Sequence, residues 1–314
     1  MSSWRRGSGA TTEMFGFPTG KRSLVRVFNA TGVLGGSDFQ AWEKPAGCSL
    51  LFIVCIGSGA GGGGGAANAS GSNKAGGGGG GSSAMTKLLI PLDCVPDRLH
   101  ILVGSGGAPG AGAASAGNDG VIGGDGRLSR VAVHPQVTTE CILCVSGSTA
   151  PVGGGPGLRG GSAAAGGAAG AAATFTNMPL GSFGIPHFGA GAAGQNSTGA
   201  DTSPGTQSPL NLSTFCQQGC GGAGSNASPQ TGGSWSAVTN SHITAIGGGS
   251  DGFAFYNDIF YGGCGGNSSN NGAGLPGGSC ANAPGAGGGG GGGGGTTGGA
   301  GGHGGPGRVI LVCW

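Results

Sequence analysis

Gly57-Ser-Gly59-Ala-Gly-Gly62 follows an apolar run and fits G-x-G-x-x-G, a pattern that can cradle a dinucleotide pyrophosphate. That chemistry needs a helix directly after the glycines and an acidic residue about twenty positions further on. Residues 61–81 are almost all glycine, alanine, serine and asparagine without helical periodicity, and the next acid is Asp93. The match is what a glycine-rich chain produces by chance, and no cofactor is expected. Cys141-Ile-Leu-Cys144 has the C-x-x-C spacing of redox and zinc sites, which sit on helix starts or tight knuckles. Here it lies in an apolar strand, where residues three apart face opposite ways. Cys216-Gln-Gln-Gly-Cys220 is more loop-like, yet no histidine stands at ligand spacing from it. The five histidines have no acid at suggestive local spacing, and no paired carboxylates occur. The chain therefore reads as a non-enzyme, with no catalytic residues and no metal site.

The residues that remain able to do something are aromatic. Phe175, Phe183, His187 and Phe188 fall in TFTNMPLGSFGIPHF; Trp235 opens a second segment; Phe253, Phe255, Tyr256, Phe260 and Tyr261 crowd into nine residues between glycine blocks. Two readings stand side by side. Alternating Phe253 and Phe255 suits a buried strand. An aromatic and amide tip carried on rigid supports suits recognition of a sugar or a partner surface. A second group, Trp4, Arg5, Arg6, Lys21 and Arg22, precedes the first apolar strand, either as a solvated arm or as one that docks on an acidic face of a larger assembly. The net charge of +2 leaves no nucleic-acid footprint.

Glycine, at 84 of 314 residues, decides what can position these groups. Such a share points to low complexity, but charged residues are only 8%, far from a solvating disordered chain. Short apolar strands are predicted at 23–28, 39–42, 49–56, 87–92, 99–103, 128–133, 140–145 and 308–314. With Gly/Pro turns and no helical pattern, they indicate an all-β chain with a β-sandwich or jelly-roll-like module. The organisation expected is an arm at 1–20, a sandwich-like module at 21–150 closed by strand 308–314, and a glycine-rich region at 151–307. Gly289, Gly292, Gly295, Gly298, Gly301, Gly304 and Gly307 repeat in triplets, broken in the adjacent register at Thr296. Three residues per turn is the polyproline-II period, which makes no bonds within itself. The rods must pair sideways, as polyglycine-II helices, and 289–307 as one rod would measure roughly 55 Å. Met1–Gly20 has no apolar signal-like core, and the longest strongly apolar run is too short to span a bilayer. Cytosolic synthesis without membrane insertion is the expectation.

Phe28-Asn-Ala-Thr-Gly32, then Trp42-Glu-Lys-Pro45-Ala-Gly47, then a strand ending in a glycine block, resemble the glycine-rich proteins of tailed-bacteriophage virions. The ending Gly-Pro-Gly-Arg308-Val-Ile-Leu-Val-Cys-Trp is similar to that group's closing strand. The resemblance covers 24–150 and 285–314. Glycine rods separated by aromatic loops also resemble phage tail-fibre-tip adhesins, whose polyglycine-II sandwich displays receptor-binding loops. The resemblance implies a virion protein assembled in the host cytoplasm, oligomeric and held by other capsid or tail proteins. It makes the aromatics above candidates for contact with a host glycan or outer-membrane protein. Capsid decoration without receptor binding, and an ice-binding polyglycine-II bundle, are the competing expectations.

Overall fold

The computed structural model describes residues 23–31, 39–135, 142–147, 149–155, 218–235 and 262–314, Arg5–Arg6, and short pieces between. Those shorter pieces are 157–158, 163, 165–168, 170–171, 185–189, 198, 203–204, 206–207, 249, 251, 254–255 and 259–260. The chain is nearly all β. Its one described helical element is a 3-10 turn at Leu92–Cys94, where strand 87–92 was expected to end; strand pairing stops at Pro91.

Two antiparallel sheets make a sandwich. The first orders β1 (Arg5–Arg6), β2 (Leu24–Asn29), β14 (Arg308–Cys313), β4 (Leu50–Ile56), β5 (Met85–Pro91) and β9 (Ile185–Gly189). The second orders β3 (Gln40–Glu43), β6 (Arg98–Leu102), β7 (Arg130–Ala132) and β8 (Ile142–Val145). Between β8 and β14 lie β10 (Thr206–Gln207) with its parallel partner β11 (Ser234–Trp235), and the hairpin β12 (Ala254–Phe255) with β13 (Ile259–Phe260).

The continuous apolar runs of β4 and β14 follow from burial on both faces. Leu51, Ile53, Cys55, Val309 and Leu311 meet Trp42, Leu99, Ile101, Val131 and Leu143 of the second sheet. On the other face Phe52, Val54, Ile310 and Val312 are covered by Cys280, Ala283 and Ala286. The last strand sits at the centre of the first sheet, registered along its whole length with β2 on one side and β4 on the other. Its apolar side chains are thereby removed from water, which is the main stabilising term available to this chain.

All six strand ends that lead to or from glycine blocks lie at one end of the sandwich: Ile56, Met85, Leu102, Arg130, Val145 and Arg308. Beyond them the chain becomes a bundle of threefold rods. Every amide from Ser58 to Ala67 donates to another rod at 2.8–3.0 Å. The partners change in steps of three. Ala60, Gly63 and Ala66 donate to Gly81, Gly78 and Ala75; Gly61, Gly64 and Ala67 to Gly124, Val121 and Asn118; Gly59, Gly62 and Gly65 to Gly305, Gly302 and Gly299. Those three neighbours run antiparallel. The carbonyls of the same rod accept from three parallel ones: Gly107, Gly110 and Ala113; Gly154 and Gly157; Gly288, Gly291 and Gly294. Three donors' partners and three acceptors' partners make six neighbours around one rod, so the packing is hexagonal. The 11 residues 57–67 extend roughly 34 Å at the polyproline-II rise.

The expected single rod over 289–307 is instead two antiparallel rods. Gly299, Gly302 and Gly305 donate back to Gly292, Gly289 and Ala286, and the chain reverses around Thr296 and Thr297. The break in the triplet pattern is the turn. Rods 57–67 and 75–84 lie before residue 150 and bond directly to 285–294, so lattice hydrogen bonds cross that position repeatedly.

Candidate functional site

The lattice has two ends, and the side chains divide between them. At the sandwich end, buried serines join the strand ladder to the threefold bonding pattern. Ser58 Oγ donates to the Ser105 carbonyl at 2.6 Å and accepts from the Arg127 amide at 2.6 Å. Ser129 Oγ accepts from Gly104, and Ser146 Oγ from Ser129, both at 3.0 Å. Thr86 Oγ1 on the first sheet reaches the Ser146 carbonyl of the second at 3.2 Å. Hydroxyls serve here because a backbone group buried without a partner costs on the order of 1–3 kcal/mol.

The aromatic segments also attach at this end. Gly170 donates to Ser82, Gly219 to Gly80 and Gly263 to Gly287, all near where rods meet the sheet, and Ser234 closes a rod that runs back toward it. His187 and Phe188 lie in β9, registered with Lys87 and Thr86 as an added edge strand of the first sheet. Trp235 is registered with Gln207, and Phe255 and Phe260 lie in the β12–β13 hairpin. Phe175, Phe183, Phe253, Tyr256 and Tyr261 lie outside the described residues, as do Trp4, Lys21 and Arg22. Arg5 and Arg6 pair with Val25 and Leu24, at the end of β2 away from the lattice.

The far end consists of short turns: 68–74, 114–118, 226–229, 270–273 and 295–298. Their polar side chains are mostly Asn, Ser and Thr, and Gly71 and Gly117 take positive φ of 75° and 85°. Lys74, buried to 0% exposure, ties the turns together. Its ammonium donates to the Ser72 carbonyl at 3.0 Å, Asn270 Oδ1 at 3.2 Å and the Ala69 carbonyl at 3.4 Å. Asn270 Nδ2 in turn donates to the Ala227 carbonyl at 2.9 Å, and the Gly71 amide to Asn270 Oδ1 at 3.3 Å. Three turns from distant parts of the chain are locked by one lysine and one asparagine. The sequence reading missed this surface because its residues look like ordinary turn formers. The signal that could have found it is a lone lysine inside the otherwise uncharged stretch 57–86. We expect Lys74→Met to loosen this end by about 1–3 kcal/mol, read as a lower thermal midpoint and faster amide exchange at Gly71, with the sandwich core unchanged.

A third surface, also missed, lies on the outer face of the second sheet. Phe39 and His100 meet edge to face at 6.2 Å, His100 and His134 at 6.5 Å, and the Arg130 guanidinium stands 6.0 Å from the Phe39 ring. Burial, then Arg98 and His134, push His100 below the usual imidazole range, against the opposite pull of Glu43.

The G-x-G-x-x-G amides are spent within the lattice, Gly57 on Ala84, Gly59 on Gly305 and Gly62 on Gly302. Cys144 is buried in β8, while Cys141 and Cys216 lie outside the described residues. Among the described residues no cluster of three or more His, Cys, Asp or Glu has metal-binding geometry. A glycine-rich domain family model matches residues 33–314, which takes in both the sandwich and the lattice. The chain belongs to the glycine-rich domain family. Comparison with curated proteins returned no match. For this glycine-rich domain the family assignment covers the architecture, and its function must be argued from the two ends.

Proposed function

We propose that this glycine-rich domain is a non-enzymatic virion structural protein of the tail-fibre or tail-tip kind, contributing to host attachment. The observation that carries the reading is axial. The chain enters at the pole of the sandwich where Arg5 and Arg6 pair with Val25 and Leu24, and the hydrogen-bonded turns close the opposite pole. A rigid lattice between them suits a part that is held at one end and makes contact at the other. The arm, with Trp4, Arg5, Arg6, Lys21 and Arg22, is the side proposed to meet other virion proteins. The polar turns are proposed to face a host glycan or outer-membrane protein, and the aromatic segments, including Phe255 and Phe260, to offer a second contact beside the sandwich.

The test uses particles of the phage that carries the gene. Mass spectrometry of purified particles should find the protein at fixed copy number. Ser70→Trp with Asn271→Trp, two exposed turn positions, should lower adsorption while leaving particle yield unchanged. Phe255→Ser with Phe260→Ser, in the β12–β13 hairpin, asks the same of the aromatic segments. Unchanged adsorption in both variants, with the protein still in the particle, favours capsid decoration. Absence from purified particles overturns both readings.

A further inference from the structure

Cysteine holds the chemistry that neither end of the lattice uses. None of the eight cysteines among the described residues is in a disulfide, and six of them interact in pairs: Cys55 with Cys144 across the two sheets, Cys220 with Cys264 between neighbouring rods, and Cys48 with Cys313. The first two pairs are sealed from solvent, at 0–1% exposure. The third has one member, Cys48, that reaches water. Backbone bonds bring the two segments together, and Cys313 Sγ donates to the Leu24 carbonyl at 3.8 Å. The Ser49 and Leu50 amides donate to the Trp314 carbonyl at 2.7 and 3.1 Å, and the Trp314 amide donates back to Leu50 at 3.3 Å. Ser49 Oγ donates to the same Trp314 carbonyl at 3.2 Å. The residue following each cysteine is thus bonded to its counterpart, and both side chains pack on the same core.

We propose that Cys48 and Cys313 form a redox clasp, which a small-molecule disulfide converts into an intramolecular disulfide whose loop takes in every strand from β4 to β14 and the whole lattice. The Cys48 thiolate attacks one sulfur of the external disulfide, forming a mixed disulfide and releasing one small-molecule thiolate. Cys313 then loses its proton to solvent and attacks Cys48 Sγ, releasing the second thiolate. One external disulfide is reduced to two thiols, and two protein thiols are oxidised. Burial and the neighbouring Cys48 thiol push Cys313 up to about 12, so the second step is slow and the mixed disulfide on Cys48 accumulates first. Exposed Cys94 has no facing thiol among these pairs and acquires only a removable adduct. Cys55–Cys144 and Cys220–Cys264 remain thiols in the folded chain because the oxidant cannot reach them.

The experiment treats the folded full chain with oxidised glutathione and maps peptides without reduction. The expected result is transient glutathione on Cys48, followed by a 48–313 linked peptide lacking two hydrogens in mass. The oxidised chain should melt higher and return to its starting midpoint on adding a dithiol. Cys48→Ser alters only the half-buried sulfur and should fold normally, yield no linked peptide and show no shift with oxidant. Glutathione that stays on Cys48, or a bridge from Cys48 to Cys94, overturns the proposal. So does a linked peptide with no change in thermal midpoint.

Discussion

Gly62→Ala should cost this protein most of its stability, whereas Gly117→Ala should be tolerated. At Gly62 an added Cβ would overlap the carbonyl of Gly289 and crowd that of Gly288. Both belong to a rod fixed by its own six neighbours, so the backbone has nowhere to move. Overpacking in a side-chain core costs about 1–3 kcal/mol because rotamers can adjust. Here no rotamer exists to adjust, and the effect belongs in the exceptional range above about 4 kcal/mol. Gly117 sits in a turn with φ of 85° and nothing within 4 Å of the added carbon. Its substitution carries only the left-handed backbone penalty, about 1–2 kcal/mol. Urea unfolding of the two variants beside the parent checks the contrast. Equal midpoints for both would mean that the rods are not in contact through their backbones.

The sandwich was legible in the sequence because its signals are local. Val309 to Cys313 and Leu51 to Ile56 are apolar at every position, and the structure buries both their faces. The threefold period was legible too, since glycine at every third position is a pattern in the chain itself. What could not be read was which rod lies beside which. Glycine blocks carry no side-chain complementarity, so pairing is set by turn positions and by where each strand delivers its rod. Thr296 illustrates the difference: it is one irregular residue in the sequence and the reversal of a rod in space. The aromatic segments likewise looked like tips because they interrupt glycine. Rod direction alternates, and every one of them joins rods at the sandwich end.

The same lack of side chains explains why sandwich and lattice occur in one domain. Ordering a residue costs about 1–2 kcal/mol of backbone entropy, more for glycine. One net hydrogen bond returns about 0.5–1.5 kcal/mol. Per residue the lattice is close to balance and cannot define itself. The apolar core fixes the starting point and direction of each rod at Ile56, Met85, Leu102, Arg130, Val145 and Arg308, which removes much of the entropy that would otherwise oppose assembly.

Amide exchange should then show a lattice that opens only with the sandwich. The amides of 58–67, and Gly288 to Gly294, belong to two rods that each have bonded neighbours on all six sides. Releasing one of them requires separating several rods, which is a global event with the free energy of unfolding. For an ordinary domain stability this means exchange slowed by about 1,000-fold or more relative to exposed amides. Ala69 and Asn73 in the far turn are exposed and should exchange quickly even though Lys74 is buried beside them. Amide-resolved measurement on the intact chain distinguishes a lattice from a collapsed but unpaired glycine tract. If 288–294 exchange as fast as Ala69 and Asn73, main-chain pairing does not hold the rods, and Gly62→Ala should lose its effect in parallel. If they are protected while a core substitution such as Leu311→Ala releases lattice and sandwich amides together, the two parts stand or fall as one unit.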